Sequence, residues 1–267
     1  MGVRLGEENN LRRFDPFPAD VGDAGATKED WRSDVVVALG EFAKRGFDVV
    51  AASILLVLLS PLIALVAVGI RLDSRGPAFF RCRRVGYGGR QFGMLKFRKM
   101  VHDARGGALT APEDDRFTRF GRVLAKTKLD EIPQLWNVLK GDMSLVGPRP
   151  EDAGFVELRA QEYRQILRVR PGITGLSQLA FARESEILDP NDRRGHYVSK
   201  LLPAKARIDC LYVSRRTIGM DVKILLWTAA AVLLRLEVAV HRQSGRLTRR
   251  RARVAPEGQH RGALTSS

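Results

Sequence analysis

Between Val49 and Ile70 the chain reads VVAASILLVLLSPLIALVAVGI, an apolar run without a charged residue. About 20 such residues cross the roughly 30 Å hydrocarbon core of a bilayer, so a membrane is the first environment this segment calls for. Two features argue against a plain span. Ser60-Pro61 lies near its middle, where proline removes a helical hydrogen bond and crowds the preceding turn. Both flanks are basic, with Lys44 and Arg45 before and Arg71 and Arg75 after, whereas a single span carries its basic bias on one side. A re-entrant helix hairpin accounts for both. Each arm, of roughly 10 to 12 residues, reaches only half the bilayer, turns at Ser60-Pro61 and returns to the face where cations meet anionic headgroups. The alternative is a buried helix of a soluble protein. Such helices carry a polar stripe, and this one has almost none.

The formal charge of +15 requires an anionic partner: nucleic acid, anionic lipid or a phosphorylated substrate. Cys82 and Cys210, far apart and without metal-ligand spacing, exclude a disulfide scaffold and a zinc site and fit a reducing compartment. Residues 1–33 lack the basic start, apolar run and cleavage site of a signal peptide and read as a loose arm. Residues 241–267, with Arg246 and Arg249 to Arg253, are too polar to offset ordering entropy and read as a disordered basic tail. That leaves 34–74 for the membrane hairpin and 75–240 for a cytosolic domain.

Within that domain, Pro77 to Phe80 and Gln91 to Arg98 are strand-like and separated by the turn signal Gly86 to Gly89. Lys96 and Arg98 alternate with Leu95 and Phe97, which on a strand puts both cations on one face, as a phosphate site needs. The same alternation also marks ordinary solvated faces. In Leu129 to Gly141, helical apolar spacing and the stop at Gly141 predict a short helix with Pro133 in its first turn. Asp130 and Glu131 then stand at its start, where the amides and dipole favour anions. A capping role is the plainer reading of such a pair; the flanking Lys and Arg favour a functional one. In Gly141 to Pro150, Pro148 and Pro150 stiffen the backbone around Arg149, a residue suited to bidentate phosphate recognition.

Taken in order, these segments resemble the bacterial sugar transferase family, the monotopic polyprenyl-phosphate phosphoglycosyl transferases. The resemblance runs from about Lys44 to Arg235. It rests on Lys44-Arg-Gly-Phe-Asp48, Ser60-Pro61, Lys96-Phe-Arg98, Leu129-Asp-Glu-Ile-Pro-Gln-Leu135 and Gly141-Asp-Met-Ser-Leu-Val-Gly-Pro-Arg-Pro150. Arg170-Pro-Gly-Ile-Thr-Gly175 and Asp209-Cys-Leu-Tyr212 to Asp221-Val-Lys223 complete it. The resemblance implies a two-step, Mg²⁺-dependent reaction. Asp130 attacks the sugar-linked phosphate of a UDP-sugar and releases UMP, and polyprenyl (undecaprenyl) phosphate then takes the phosphosugar. This is the initiating step of exopolysaccharide, capsule, O-antigen or glycoprotein glycan assembly. By the same resemblance Asp130 and Glu131 are catalytic, Glu131 and Asp221 hold the metal, and Lys96, Arg98, Pro148, Arg149 and Pro150 surround phosphate and nucleotide. The implied location is the cytoplasmic face of a bacterial inner membrane, among anionic lipids, with a homo-oligomer possible. Two departures stand out. Family members carry Arg-Lys where this chain has Ala125-Lys126, and Lys126 or Lys128 is left to compensate. Residues 187–205, with Asp189-Pro190 and Arg193-Arg194, read as an insertion.

The fold expected is α+β, mainly helical with a few short strands: a re-entrant hairpin and amphipathic surface helices seating a compact catalytic domain on one leaflet. Ile224 to Val240, apolar but broken by Arg235 and Glu237, reads as packed or interfacial rather than spanning. Two other function classes compete. A nucleic-acid-binding protein leaves the apolar segment unexplained and shows no binding module, so nucleic acid is not an expected partner. An inactive membrane scaffold of the same fold leaves the Asp130-Glu131 pair unexplained.

Overall fold

The computed structural model describes residues 28–249, apart from 103, 105–108, 110–113, 235 and 242. Most of the expected arm and of the basic tail lies outside these residues. The molecule is mostly helical with a few short strands.

Helix α1 runs Lys28–Asp73, beginning inside the stretch expected as a loose arm and carrying Pro61 within it. Proline lacks the N–H that would bond the Val57 carbonyl, and the Ser60 hydroxyl donates to that carbonyl instead, at 2.8 Å. One polar group left orphaned by Pro61 is thereby satisfied inside the chain, and the helical run continues through it. Ala52, Val66 and Ile70 are buried against the domain, while Val50, Ile54, Leu55, Val57, Leu58, Leu65, Val68 and Leu72 are exposed. Among the described residues, this helix has the length and apolar composition to cross a membrane.

Both ends of the apolar segment are tied to the same body. At one end Arg45 donates to the Val138 and Leu139 carbonyls (2.6 and 3.0 Å), and Asp48 accepts from the Leu145 amide (3.2 Å). At the other, Arg98 donates to the Ser74 carbonyl and hydroxyl (2.8 and 2.9 Å), and Asp73 accepts from the Phe120 amide (3.2 Å).

Strands β1 (Phe79–Val85) and β2 (Gln91–Phe97) form an antiparallel hairpin, Phe79 opposite Phe97 and Val85 opposite Gln91, closed by a turn at Tyr87–Gly89. The turn falls where the glycines signalled it. Helix α2 (Arg119–Thr127) starts on Thr118, whose hydroxyl accepts from the Gly121 amide at 2.9 Å. Helix α3 (Gln134–Lys140) stops at Gly141, left-handed at φ +89°. Asn137 on α3 docks the hairpin by accepting from the Leu95 amide and donating to the Gly93 carbonyl, both at 2.9 Å.

Strands β3 (Ser144–Val146) and β4 (Gly172–Thr174) pair in parallel. Between them run α4 (Ala153–Glu157) and α5 (Ala160–Ile166); after them come α6 (Leu176–Ala180), α7 (Glu184–Ile187) and α8 (Arg193–His196). A π-helical turn, Tyr197–Leu201, leads from α8 into α9 (Leu202–Arg215), followed by α10 (Ile218–Leu233). The apolar stretch after Asp221 is thus divided. Ile224 on α10 is packed in the core, Leu226 and Leu233 are exposed, and a final hairpin of β5 (Val238–Val240) and β6 (Leu247–Arg249) carries regular backbone past the boundary expected at 240. The main core joins Ala52 of α1, Met94 of β2, Leu135 and Val138 of α3, Leu145 and Val146 of β3, Leu176 and Leu179 of α6, and Ile208 and Tyr212 of α9. It seats β2, α3 and β3 as one frame around the site.

Candidate active site

A cavity of about 1130 Å³ opens at the junction of β2, α2, α3, α6 and α10, and Asp130, Glu131, Lys96, Lys99, Arg149 and Pro150 line it. Asp130 and Glu131 lie in a single 3₁₀ turn, Leu129–Glu131, ahead of α3 rather than in its first turn. The reason is local. The Glu131 and Ile132 amides bond three residues back, to Lys128 and Leu129 (both 3.2 Å), and Pro133 supplies no N–H to extend the ladder into α3. The turn follows Lys128, a non-glycine residue at φ +60°.

Asp130 is only 2% exposed. Lys99 Nζ stands 3.0 Å from its Oδ2, but off the hydrogen-bonding direction, so this buried oxygen has no hydrogen-bond partner. A buried carboxylate kept in this way is costly unless used, and such atoms mark sites of chemistry.

Glu131 is held differently. Lys96 Nζ donates to its Oε1 at 3.0 Å and Arg149 Nη2 to the same oxygen at 2.7 Å, with Arg149 Nη1 3.5 Å from Oε2. Burial works against the Glu131 charge, but Arg149 and Lys96 outweigh it and hold the carboxyl well below its ordinary range. Burial lowers the Lys96 ammonium, opposed by Glu131, and Glu131 raises the Arg149 guanidinium still further. Arg149 reaches this position because its loop lies directly on the Arg170–Gly175 turn. A Cβ on Gly172 would fall 2.0 Å from the Gly147 nitrogen, and one on Gly175 2.2 Å from the Gly147 carbonyl oxygen. The Pro148 carbonyl accepts from the Gly172 amide at 2.8 Å. The two glycine-rich motifs are therefore one device that sets the Pro148-Arg149-Pro150 segment beside Asp130 and Glu131.

Two residues expected here are employed elsewhere. Arg98 touches the cavity wall, yet its guanidinium donates to the Ser74 and Arg75 carbonyls and caps the end of α1, a contact that needs Gly76 at φ +115°. Its Nη atoms are engaged by the Ser74 and Arg75 carbonyls and the Ser74 hydroxyl. Asp221 does not line the cavity: it pairs with Lys44 at 3.0 Å and accepts from Tyr212 Oη at 2.7 Å. Ser60 and Pro61 sit in α1, remote in role from the chemistry. Of the two lysines considered for the place of Ala125, Lys128 lines the cavity and Lys126 does not, and the cation on Asp130 is Lys99.

Among the described residues no three His, Cys, Asp or Glu converge as a metal cage. Mg²⁺ does not require one, since one or two carboxylates suffice when substrate phosphates supply the other oxygens. Of the two carboxylates the resemblance assigns to the metal, Glu131 lines the cavity and Asp221 does not.

A second polar group on the wall gave no local signal in the sequence. Glu151 accepts from Lys205 Nζ (2.7 Å) and Tyr197 Oη (2.6 Å), and Lys205 also reaches Glu184 (3.1 Å) and Tyr197 Oη (2.8 Å). Burial opposes the Glu151 charge, but Lys205 and Tyr197 together lower its carboxyl, while burial and Glu151 raise the Tyr197 hydroxyl. The stretch read as an insertion thus supplies Tyr197 and Lys205 to the site. Behind it, burial pushes Asp209 up to about 7.

Comparison with known proteins places this arrangement. The model of the family described as bacterial sugar transferase matches residues 39–235. The chain is 40% identical over 198 residues to the UDP-glucose:undecaprenyl-phosphate glucose-1-phosphate transferase of Caulobacter vibrioides, covering 72% of this chain and 70% of that protein. It is 41% identical over 199 residues to the UDP-N-acetylgalactosamine-undecaprenyl-phosphate N-acetylgalactosaminephosphotransferase of Aeromonas hydrophila, covering 72% of this chain but only 44% of the relative. It is 38% identical over 205 residues to the exopolysaccharide production protein PSS of Rhizobium leguminosarum, covering 72% of this chain and 96% of the relative. With the family's matched region spanning α1, the cavity and α10, the chain belongs to the bacterial sugar transferases and is a transferase.

Proposed function

We propose that this chain transfers the sugar phosphate of a UDP-sugar to undecaprenyl phosphate through a covalent phosphosugar on Asp130, the first step in assembling a surface glycan. The observation that carries this reading is Asp130 itself: a buried carboxylate whose Oδ2 is ion-paired with Lys99 but takes no hydrogen bond, in a large cavity beside Lys96 and Arg149. An Asp130 oxygen attacks the sugar-linked phosphorus. The new O–P bond forms as the bond to the bridging oxygen breaks, and the electron pair leaves with UMP. An oxygen of undecaprenyl phosphate then attacks the same phosphorus and returns Asp130 as carboxylate. Two anions must meet in each step, so fixed cations are the main requirement, and Arg149 and Lys96, locked by Glu131, are pre-set for it. Bound Mg²⁺, held by Glu131, would neutralise phosphate charge.

The acceptor lives in a membrane, and α1 fits a re-entrant path in it. Both ends of its apolar segment dock on one catalytic body, its outer face is apolar, and Ser60 spares the bilayer an unbonded Val57 carbonyl at Pro61. The basic surface then meets anionic lipid at the cytoplasmic face of the bacterial inner membrane. Detergent-solubilised protein should release UMP from one of a panel of UDP-sugars, UDP-glucose first. Release from none would contradict the proposal and favour a scaffold.

A further inference from the structure

We propose that Lys99 is a catalytic cation of this site, resting on the Asp130 carboxylate and passing to the phosphate when the nucleotide-sugar enters, in place of any cation at Ala125. This rests on the reading of Asp130 as nucleophile.

Lys96 and Arg149 are held in place by Glu131, Arg98 caps the end of α1, and Lys128 lines the cavity without an ion pair to Asp130. Among the described residues, the cation paired with Asp130 is Lys99. Its backbone is pinned, for its carbonyl accepts from the Thr118 amide at 3.1 Å and Gly121 packs so closely that a Cβ would fall 1.9 Å from that oxygen. The side chain is freer. It is 26% exposed against 2% for Asp130, and its ammonium lies 3.0 Å from Oδ2 without hydrogen-bond alignment. Such a contact is held by charge rather than direction, so a small shift of Nζ toward the cavity breaks no hydrogen bond.

The chemistry calls for a cation that behaves this way. Two negative charges repel strongly at short range in a partly buried site, and Asp130 must come within bonding distance of a diphosphate. A cation shared first by the carboxylate and then by the phosphate offsets this repulsion and leaves an Asp130 oxygen free to attack. Ala125, on the last turn of α2, lines the same cavity without a charge. It is therefore the natural position from which to test whether charge, rather than packing, is what Lys99 supplies.

The test uses the full chain in detergent with UDP-glucose or UDP-N-acetylgalactosamine, whichever wild type consumes, and no lipid acceptor. Adduct formation is followed by quenched intact-protein mass spectrometry. Lys99→Met should slow adduct formation roughly 100-fold, the scale of removing one charge-stabilising donor, with a smaller change in KM. Lys99→Arg should keep at least a tenth of the wild-type rate, and adding Ala125→Arg to Lys99→Met should recover at least tenfold. Should Lys99→Met not fold, Lys99→Gln carries the same test. A neutral variant within threefold of wild type would overturn the proposal. So would a slow neutral variant rescued by neither arginine. Asp130→Asn separates the two readings: an adduct that survives it refutes the nucleophile, whereas its loss beside an unimpaired Lys99→Met refutes only the role of Lys99.

Discussion

Lys205→Met tests whether the wall of the cavity is held by charge. Lys205 is 4% exposed and its three ammonium contacts, Glu151, Glu184 and Tyr197, lie between 2.7 and 3.1 Å. Methionine fills the space but leaves the Glu151 carboxylate buried with Tyr197 as its remaining partner. Removing one member of a buried pair costs about 3 to 5 kcal/mol, which for a chain of this size lowers the melting midpoint by roughly 6 to 20 °C. The loss should depend on pH with a definite sign. In wild type the Glu151 carboxyl is lowered, so its contribution is present above the ordinary glutamate value near 4.3 and is lost as pH falls through the lower folded value. In Lys205→Met that cation is gone while Tyr197 and Arg149 still lower Glu151, so the carboxyl moves up from its wild-type position and the deficit against wild type should be widest near neutrality and shrink as pH falls through the acidic range. A thermal-unfolding series in detergent from pH 5 to 8 reads this directly. Adding Glu151→Gln should recover part of the loss, by about 0.5 to 3 kcal/mol of coupling. A loss below about 1 kcal/mol, or one independent of pH, would refute the reasoning.

Arg149→Lys keeps the charge but loses the fork that spans both Glu131 oxygens, so UMP release should fall at least tenfold; near-normal turnover would make Arg149 a general electrostatic contact. Cysteines introduced at Arg32 and Arg75 should be labelled from the same side of inverted vesicles, and labelling from opposite sides would refute the re-entrant path of α1. Pro61→Leu, which restores the N–H to Val57, should shift α1 toward a straight span.

Asp130, Glu131, Lys96 and Arg149 were legible as a group because stiff local signals surround them: Pro133 and Gly141 bound α3, and Pro148 and Pro150 flank the arginine. Arg98 and Asp221 have side-chain types that suit phosphate and metal, while their partners here are the residues just past α1 for Arg98, and Lys44 of α1 with Tyr212 of α9 for Asp221. Ser74 lies 24 positions from Arg98 and Lys44 177 positions from Asp221, beyond any local pattern. Lys99 was passed over for a related reason. It falls out of phase with the Lys96 and Arg98 alternation, and β2 ends at Phe97, so strand periodicity no longer governs where its side chain goes. Glu151, Tyr197 and Lys205, 46 and 54 positions apart, meet only when α9 packs behind the Arg149 loop. At Ser60-Pro61 the sequence showed a disruption but not its repair by the Ser60 hydroxyl.

The central claim is that Asp130 carries the phosphosugar. Intact-protein mass spectrometry of wild type mixed with a UDP-sugar it consumes, in the absence of lipid acceptor, should show one phosphosugar per chain and up to one UMP released. Asp130→Asn, nearly the same size but without the anionic oxygen, should show neither, and undecaprenyl phosphate should discharge the wild-type adduct. An adduct of the same mass on Asp130→Asn would place the nucleophile elsewhere, and UMP release only in the presence of lipid, with no adduct at any time, would contradict a covalent intermediate.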